Sequence, residues 1–489
     1  MSPAPPAPAA PEPVSVVGIG ADGWDGLPVA SRQALQRAEV LIGGPRQLAL
    51  LPDECAGERI PWPSPLRPAV PGLLAAHAGR RVCVLASGDP MFYGIGRTLT
   101  EVLAEGAAAA EGATEGAAAA EGESERESAA EGRGGAEGEA ATAASPKPQP
   151  PQPPRLPQPP RLPRLSQLRI FPHPSSVSYA CARLGWPLED TEVITLVGRP
   201  TENLARALYD GHRLLVLSAG AGTPAEVAAL LRAHGFGPTR MRVLEQLGGS
   251  RERTAEGTAD GWDAPPADPL NVIALDCRRA PGTPPLSTVP GLPDAAYEHD
   301  GQLTKRHVRA ATLAALAPAP GELLWDIGGG SGSIAIEWLR AHRTCRAIGV
   351  ERDAVRAERI GRNARSLGVP ALRVVHGSAP AALDGLPTPD AVFIGGGLTA
   401  PGLLAACWEA LPAGGRIVAN TVTLESEALL ADCHRQHGGE LVRLAVSHAV
   451  PVGGFTGWRQ AMPVTQWSAV KAPAISPSPS SRPQETEQP

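Results

Sequence analysis

The sequence lacks the features that direct a protein to a membrane or to nucleic acid. No run of about 18 consecutive apolar residues, the length that a membrane-spanning helix requires, occurs in it. The formal net charge is -6, and Phe, Trp and Tyr make up only 4% of the 489 residues. Nucleic-acid-binding proteins usually carry a basic face and aromatic stacking platforms. We therefore expect no membrane segment and no nucleic-acid partner.

Cysteine is scarce, and its spacing does not suggest disulfide bonds. The seven cysteines are odd in number and far apart, with no CxxC pair, which argues against a disulfide framework. The N-terminal segment MSPAPPAPAAPEP also lacks the charged and then apolar regions of a signal peptide. These features predict a cytoplasmic protein.

Several segments have compositions that cannot bury a core. They are residues 1–13, about 105–164, 278–296 and 471–489. In the longest of them, Glu/Gly/Ala repeats are followed by PKPQPPQPPRLPQPPRLPR. We interpret this segment as a surface insertion at a loop tip and keep a PxxP-type binding segment as the alternative. The segment 278–296 is interpreted as a linker, so two ordered blocks are predicted, 14–277 and 297–470.

Both blocks alternate short β-branched runs with amphipathic segments, which is typical of α/β domains. VASRQALQRAEVL and PAEVAALLRAHG are predicted helices of the first block. The strands predicted in that block are SVVGIG (15–20), RVCVLAS (81–87), LRIFP (168–172), EVITLVG (192–198), RLLVLS (213–218), MRVLEQL (241–247) and LNVIALD (270–276).

The C-terminal block contains a glycine-rich loop between a predicted strand and a predicted helix. The segment ELLWDIGGGSGSIAIEWL runs from Glu322 to Leu339, and its strand is predicted to end at Asp326. Glycines let the backbone approach a ligand at the N-terminus of a helix. The dinucleotide fingerprint GxGxxG requires Gly where this chain has Ser333, so the GxGxG spacing favours S-adenosylmethionine (SAM). The loop residues predicted to bind it are Gly328, Gly329, Gly330, Ser331 and Gly332.

The segments after this loop extend the prediction. The next strand, RAIGVE, ends in Glu351, and an acid at this position can accept hydrogen bonds from the ribose hydroxyls of a ligand. A third strand is followed by Ser378 and Ala379, where the adenine would lie, and the fourth strand, DAVFIGGG, opens a glycine-lined mouth. ELVRLAVSHAV and RQAMPVTQWSAV are predicted to form an antiparallel hairpin that closes the sheet. We also expect Asp326, at the end of the first strand, to contact the cofactor.

These segments resemble a known family. DGQLTKRHVRAATLAAL (300–316), followed by the glycine-rich loop, is similar to the decarboxylating precorrin methyltransferase domain called CbiT, and the similarity covers 298–470. The resemblance implies that Thr304 contacts SAM together with the loop, Glu351 and Ala379. Two positions depart from the family pattern: the loop is GGGSGS instead of GAGSGS, and His307 replaces a common acid in TKREVR.

The first block has a different pair of motifs, VVGIGADGWDGL (16–27) and LASGDPMFYGIG (85–96), followed by HPSSVSYACARLGWP (173–187). Their combination resembles the tetrapyrrole methylase (class III) fold of the CbiE type, in which SAM lies in a cleft between two α/β lobes. The chain departs from that family at Val197, where an LHGR segment often has His. The positions that match the family's SAM contacts are Gly88, Asp89, Pro90, Ser175, Ser176 and the Thr223–Pro224 pair.

A fusion of these two domain types resembles the CobL-type precorrin-6Y (6B) C5,15-methyltransferases (decarboxylating). The resemblance implies methylation of the tetrapyrrole precorrin-6B at C5 by the first domain, and methylation at C15 with loss of the ring-C acetate carboxyl by the second. The product would be precorrin-8 of cobalamin biosynthesis. The family resemblance also implies a homo-oligomer. No individual catalytic residue can be named from the sequence.

Other assignments remain open. The many substrate carboxylates suggest Lys305, Arg306 and Arg309 as binding residues, although a solvated basic helix face would have the same sequence. A class I methyltransferase of RNA or protein with a degenerate N-terminal domain, or a non-catalytic SAM-binding scaffold, are the alternative functions. The segment ADCHRQHGG contains Cys433 and two histidines, but too few ligands for a zinc site, so we expect no metal.

Overall fold

The computed structural model describes residues 13–105 and 168–473. Nearly all of the predicted tails and of the predicted insertion lies outside these ranges. Lys471, predicted to begin the C-terminal tail, instead donates hydrogen bonds from its amine to the carbonyls of Trp408 and Leu411. Within them, no helix is both long enough and apolar enough to cross a bilayer. The described residues form three larger sheets and one separate hairpin.

The first sheet is parallel and has five strands in the order β3-β2-β4-β1-β5. Alternate residues of its strands enter two different apolar clusters, as expected for a sheet buried on both faces. Val16 belongs to one cluster, and its neighbour Val17 belongs to the other. The elements are β1 (Val14–Ile19), α1 (Val29–Arg37), β2 (Val40–Gly43), α2 (Pro45–Ala49), β3 (Glu58–Pro61), α3 (Leu66–Ala76), β4 (Val82–Ser87), α4 (95–105) and β5 (Leu168–Phe171).

The second sheet is mixed, with the order β6-β7-β10-β8-β9, in which only β6 and β7 are parallel. It forms a second lobe with its own apolar core. The two sheets thus make two α/β lobes within one domain. The elements are α5 (Ser176–Leu184), β6 (Glu192–Thr195), β7 (Arg213–Leu217), α6 (Thr223–Ala233), β8 (Arg240–Glu245), β9 (Arg253–Thr258) and β10 (Asn271–Asp276).

All seven strands predicted in the first block are present, but the structure corrects one helix. The predicted helix VASRQALQRAEVL ends at Arg37, because Ala38 has extended backbone angles. The next residues, Val40 to Gly43, form β2 and are fully buried between β3 and β4. The edge strand β9 was not predicted, since its residues, RTAEGT, are polar and largely exposed.

The C-terminal domain is one seven-stranded sheet with the order β13-β12-β11-β14-β15-β19-β16, parallel except at β19. Helices cover both faces, and the inner strand β11 is buried along its whole length. The elements are α7 (Arg306–Leu316), β11 (Leu323–Ile327), α8 (Ser333–Ala341), β12 (Arg346–Glu351), α9 (Ala354–Ser366), β13 (Arg373–His376), β14 (Ala391–Ile394), α10 (Leu403–Ala410), β15 (Arg416–Thr421), α11 (Leu424–His437), β16 (Glu440–Leu444), β17 (Ser447–Val452), β18 (Phe455–Gln460) and β19 (Val464–Val470).

The predicted closing hairpin contains a second hairpin. β16 and β19 pair antiparallel within the main sheet, as predicted, but they are not joined directly. β17 and β18 form a separate two-stranded sheet between them, with the glycine-rich bend at its tip. This projecting hairpin exposes Phe455 (85%) and Trp458 (79%). It is an extra apolar surface that the sequence pattern did not predict.

The segment expected to be a linker packs against the C-terminal domain. Leu292 and Tyr297 are buried, at 2% and 4% exposure. The backbone amides of Gly291 and Leu292 donate hydrogen bonds to the carboxylate of Glu337 on α8. Arg340 of the same helix donates to the carbonyl of residue 286. We call residues 286–297 the strap, because these contacts attach it to α8.

Candidate functional sites

The glycine-rich loop of the C-terminal domain connects β11 to α8 at the carboxyl edge of the sheet. Gly328 has a φ of 72°, and a β-carbon there would come within 2.8 Å of the backbone nitrogen of Gly396. Gly396 belongs to the glycine-lined mouth after β14. A residue with a side chain is therefore excluded at position 328 by both the backbone angle and the space available. The loop and the mouth lie against each other, as their places after adjacent strands predict.

Glu351, at the end of β12, is attached to this loop. Its carboxylate accepts a hydrogen bond from the Gly330 amide at 2.9 Å and another from the Asp353 amide at 3.0 Å. The side chain is 4% exposed. The amide of Gly377, after β13, bonds to the backbone carbonyl of Glu351. The predicted ribose acid and the start of the predicted adenine loop are thus adjacent.

Asp326 is a buried carboxyl group with one unused oxygen. It is 1% exposed, and its Oδ2 accepts a hydrogen bond from the Ala335 amide of α8 at 3.0 Å. Its Oδ1 has no partner among the residues that the structure describes. Burial raises the pKa of Asp326 to about 7, and the nearby charge of Glu351 contributes to the rise. An unpaired carboxyl oxygen beside a glycine-rich loop fits a ligand that donates hydrogen bonds, such as an ammonium group.

The residues before α7 cover the loop. A side chain at Gly330 would come within 3.1 Å of the Gln302 carbonyl, so the segment containing Thr304 lies close to the loop. Lys305 and Arg306 are exposed at the start of α7. The Arg306 side chain donates a hydrogen bond to the carbonyl of Gly291 in the strap at 2.8 Å. Because both side chains are exposed in spite of this bond, Lys305 and Arg306 are accessible to an acidic ligand.

The expectation that Arg309 binds substrate is wrong. Arg309 is completely buried, and its Nε donates to Glu337 at 2.6 Å. Its Nη1 lies 3.2 Å from a carboxylate oxygen of Asp294, and its guanidinium carbon lies 4.8 Å from the centroid of the Tyr297 ring. The helix pattern indicated a basic face, but this arginine points inward and joins the strap to α8.

The other predicted residues of this domain lie at the same edge of the sheet. Ser331 is 1% exposed, and its hydroxyl has no partner among the described residues. Ser378 is exposed after β13, and Ala379 packs against the core on one side of the sheet.

The segment of Cys433 contains no candidate metal cluster within the described ranges. Its His437 stacks on Trp408, with ring centroids 4.1 Å apart.

In the N-terminal domain, three motifs meet at the carboxyl edge of the first sheet. A β-carbon at Gly18 would clash with the carbonyl oxygen of Gly88, so β1 and the Gly-Asp-Pro loop touch through their backbones. Gly88 has a φ of 59°, and a β-carbon there would lie 3.2 Å from the α-carbon of Ser175. The structure therefore brings Gly88 and Ser175 together across 87 positions of sequence.

The polar side chains of these motifs also stabilise the local backbone. Asp89 accepts a hydrogen bond from the Met91 amide at 2.8 Å, which fixes the turn after β4. Ser175 caps α5 by accepting a hydrogen bond from the Ser178 amide at 3.1 Å. Ser176 is the first residue of that helix. In the second lobe, the hydroxyl of Thr223 accepts a hydrogen bond from the Gly220 amide.

One cluster in this domain was not predicted. The side chain of Asp22 lies 3.1 Å from Nε2 of the buried His173 and accepts a hydrogen bond from the Tyr179 hydroxyl at 3.2 Å. Close by, a β-carbon at Gly249 of the second lobe would lie 2.8 Å from the Ala21 carbonyl. The loop after β1 therefore touches the second lobe. The quoted motifs contained Asp22 and His173, but nothing in the sequence paired them.

A second cluster that was not predicted lies beside the Gly-Asp-Pro loop. Arg46 and Gln47, in the first turn of α2, both donate hydrogen bonds to the hydroxyl of Ser87, at 3.1 and 2.7 Å. Burial lowers the pKa of Arg46, and the charge of Asp268 in the second lobe partly opposes this effect. The segment GGPRQL has no signal that distinguishes Arg46 from a surface arginine.

Val197, at the departure from the family pattern, is 61% exposed.

Comparisons with known families assign both halves of the chain. The family described as tetrapyrrole (corrin/porphyrin) methylases matches residues 13–112 and 163–261. The family described as precorrin methyltransferase domain matches residues 295–471. These matches follow the two-lobed domain and the seven-stranded domain.

Curated relatives match nearly the whole chain. A protein from a Sinorhizobium species, named precorrin-6Y C(5,15)-methyltransferase [decarboxylating], is 42% identical over 94% of this chain and 96% of its own length. A protein of the same name from Mycobacterium tuberculosis is 42% identical over 94% of this chain and 100% of its own length. Among solved structures, the C-terminal domain of the precorrin-6Y C5,15-methyltransferase from Rhodobacter capsulatus is 53% identical. It covers 38% of this chain and 100% of that chain, with a TM-score of 0.37.

Proposed function

Since this chain belongs to the family of decarboxylating precorrin-6Y C5,15-methyltransferases, we propose that it methylates precorrin-6B (precorrin-6Y) twice with SAM. The N-terminal domain methylates C5. The C-terminal domain methylates C15 and releases the ring-C acetate carboxyl as carbon dioxide, giving precorrin-8 in cobalamin biosynthesis. The observation that carries the proposal is the presence of two separate glycine-rich loops, each at the carboxyl edge of a sheet and one per domain, in a chain that is similar to these relatives over 94% of its length.

The C-terminal site has hydrogen-bond acceptors for two parts of SAM, its ribose and its ammonium group. Glu351 accepts hydrogen bonds from the ribose hydroxyls, and the backbone from Gly328 to Gly332 lies along the ligand. The unpaired oxygen of Asp326 accepts a hydrogen bond from the ammonium group. Bound SAM supplies an electrophilic methyl group. The remaining predicted contacts are Thr304, Ser331, Ser378 and Ala379.

The N-terminal cleft binds SAM mainly through its backbone. Gly88, Asp89 and Pro90 form the loop against which SAM lies, and Ser175 and Ser176 border it from the start of α5. The Asp89 side chain accepts a hydrogen bond from the Met91 amide, and the Gly88 amide donates to the Ile19 carbonyl, so the loop is held in shape against β1. Ser175 holds the start of α5 beside it. At Gly18, the contact between β1 and the loop leaves no space for a side chain.

The chain contributes alignment and exclusion of water to both methylations. A reduced tetrapyrrole offers electron-rich carbon atoms, so no strong base is needed. With the methyl group and the carbon held in line, the new carbon–carbon bond would form as the sulfur–methyl bond breaks, leaving S-adenosylhomocysteine. Such positioning can lower a barrier by about 7 to 11 kcal/mol at best. In the decarboxylation, the electron pair left by carbon dioxide passes into the conjugated ring, where a proton is taken up.

The acidic side chains of the substrate require cations at the rim of the C-terminal cleft. Lys305 and Arg306 are exposed at the start of α7, beside the segment that covers the glycine-rich loop. We assign substrate carboxylates to these two residues. Arg309 has no part in this role, because its side chain is buried against Glu337.

We further propose that the protein is a cytoplasmic homo-oligomer. Support for the compartment comes from the seven cysteines, all of which are free and buried. Support for association comes from the projecting β17–β18 hairpin, where Val452, Phe455 and Trp458 are between 58% and 85% exposed. Large exposed apolar patches usually mark interaction surfaces. We propose a second copy of the chain as the partner, because the same surface patch of both subunits forms the contact in a two-fold dimer.

The product masses after incubation with precorrin-6B and excess SAM test the proposal. The expected product has gained two methyl groups and lost one carbon dioxide. Gain of one methyl group with loss of carbon dioxide would restrict activity to the C-terminal domain and point to Val197. An unchanged mass with SAM still bound would overturn the proposal. It would favour an RNA or protein acceptor, or a non-catalytic scaffold.

A further inference from the structure

The N-terminal domain contains an arginine that has no role in the proposed SAM site. We propose that Arg46, together with Gln47, binds a carboxylate of the tetrapyrrole and so orients the macrocycle for the first methylation. This assignment rests on the proposed function and adds a substrate-binding residue to it.

The position of Arg46 follows from the sheet. β2 and β4 are neighbours, and α2 begins directly after the carboxyl end of β2. The hydrogen bond from Arg46 to Ser87 places the guanidinium beside the last residue of β4. The next residue is Gly88, which begins the Gly-Asp-Pro loop. We call this loop the donor loop, because it is proposed to hold the methyl donor SAM. Ligands of open parallel sheets bind beyond this edge.

Arg46 is a half-buried charge with little compensation. Among the residues that the structure describes, its one side-chain hydrogen bond goes to the neutral hydroxyl of Ser87. Its pKa is lowered by burial, which means that the surroundings do not fully stabilise the cation. A partly desolvated guanidinium usually pairs with an acid. Four of its five N–H donors remain for a ligand.

The acidic residue opposite does not neutralise this charge. The charge of Asp268 in the second lobe acts on the pKa of Arg46, but no salt bridge between the two side chains is present among the described residues. Oδ1 of Asp268 accepts hydrogen bonds from the Gln246 side chain at 2.8 Å and from the Leu270 amide at 2.9 Å. Asp268 is thus held in the second lobe. A ligand carboxylate between the lobes would fill the free side of the guanidinium.

The ligand chemistry follows from the geometry of the guanidinium. A planar fork of donors binds a carboxylate in bidentate fashion, and the amide of Gln47 lies beside it on the same hydroxyl. The proposed substrate carries acetate and propionate side chains around its ring. An anchored carboxylate next to the donor loop sets which ring carbon faces the methyl group.

The test compares Arg46→Gln with the wild-type full-length chain. Gln can still donate a hydrogen bond to Ser87, so the variant removes the charge and keeps the local support. The reaction of the N-terminal domain is followed as the gain of one methyl group without loss of carbon dioxide. Because the variant loses a hydrogen bond to a charged group, its KM for precorrin-6B in this reaction should rise about ten- to hundredfold. SAM affinity of the N-terminal site and the decarboxylating reaction should stay unchanged. Arg46→Lys, which keeps the charge without the fork, should be intermediate.

Arg37→Ala is the matched control, because Arg37 is an exposed arginine in the last turn of α1 in the same lobe. It should leave every constant unchanged. An unchanged KM in Arg46→Gln would overturn the assignment. An equal loss of SAM affinity and substrate affinity would also overturn it, because Arg46 would then only hold the donor loop in place. If the wild type binds precorrin-6B without methylating it, the proposed function fails, and the Kd of the two chains then decides the role of Arg46.

Discussion

The carboxylate of Glu351 accepts a hydrogen bond from the amide of Gly330 over 2.9 Å. Two separate predictions, a ribose-binding acid after β12 and a ligand-binding loop after β11, therefore concern one connected structure. The same carboxylate also holds the turn into α9 through the Asp353 amide. The acid is thus positioned by the backbone that surrounds the proposed ligand.

We predict that Glu351→Ala weakens SAM binding in the C-terminal domain alone. Removal of the charged acceptor should cost about 1.5 to 3 kcal/mol of binding free energy. Isothermal titration of the full-length chain should show one of two binding events weakened and the other unchanged. Asp353→Ala is the control, because it removes the cap of α9 without removing the acid. Two unaltered events would remove Glu351 from the ribose role.

We predict that Asp326→Asn removes a pH dependence of stability. In the folded protein Asp326 has a pKa of about 7, against 3.8 for the unperturbed group. Between these values the folded chain holds a proton that the unfolded chain has lost, so stability falls as the pH rises and levels off above pH 7. The variant should be similar to the wild type near pH 4 and more stable at pH 8, by about 1 to 4 kcal/mol. Parallel unfolding profiles over this range would contradict the prediction.

We predict that Arg309→Met destabilises the C-terminal domain without a direct effect on substrate affinity. The change leaves the Glu337 carboxylate buried without its cation, which typically costs about 3 to 5 kcal/mol. Denaturant unfolding measures this loss. His307→Ala, at an exposed position of the same helix, should change stability by less than about 0.5 kcal/mol. A raised KM with unchanged stability in Arg309→Met would restore the substrate role.

We predict that excision of residues 106–163 leaves both methylations intact. In the register of β1 and β5, Val14 pairs with Leu168, so the chain re-enters the fold at the beginning of these parallel strands. The donor loop at Gly88 follows the opposite, carboxyl end of β4. Product masses before and after excision check this prediction. Loss of the C5 methyl group alone would give the insertion a role in the N-terminal reaction.

We predict that replacing both Phe455 and Trp458 by Ser lowers the oligomeric mass. These side chains are 85% and 79% exposed on the projecting hairpin, where a partner would cover them. Light scattering coupled to size-exclusion chromatography measures the mass. Leu424→Ser is the control, because Leu424 is 79% exposed on α11, outside the hairpin. A wild-type monomer, or a variant with unchanged mass, would contradict the assignment of this surface.

The sequence predicted the parts of the fold that repeat a simple pattern. Buried parallel strands such as Arg346–Glu351 appear as continuous apolar runs, and their ends place Glu351 correctly. The inserted hairpin was missed, because its apolar side chains face away from the core. Arg309 was assigned to the wrong surface, since a basic residue on a helix gives no sign of a buried acid on another helix. The Asp22–His173 pair needs contacts between residues 151 positions apart, which no local pattern contains.

The strap makes the junction between the two domains asymmetric. Two of the hydrogen bonds that reach Glu337 come from backbone amides at positions 291 and 292, before the seven-stranded domain begins. A gene that encoded the second enzyme by itself would have to start upstream of these residues, or it would leave a carboxylate in an apolar interior with fewer donors. The boundary at which the two activities can be separated therefore lies on the N-terminal side of the strap.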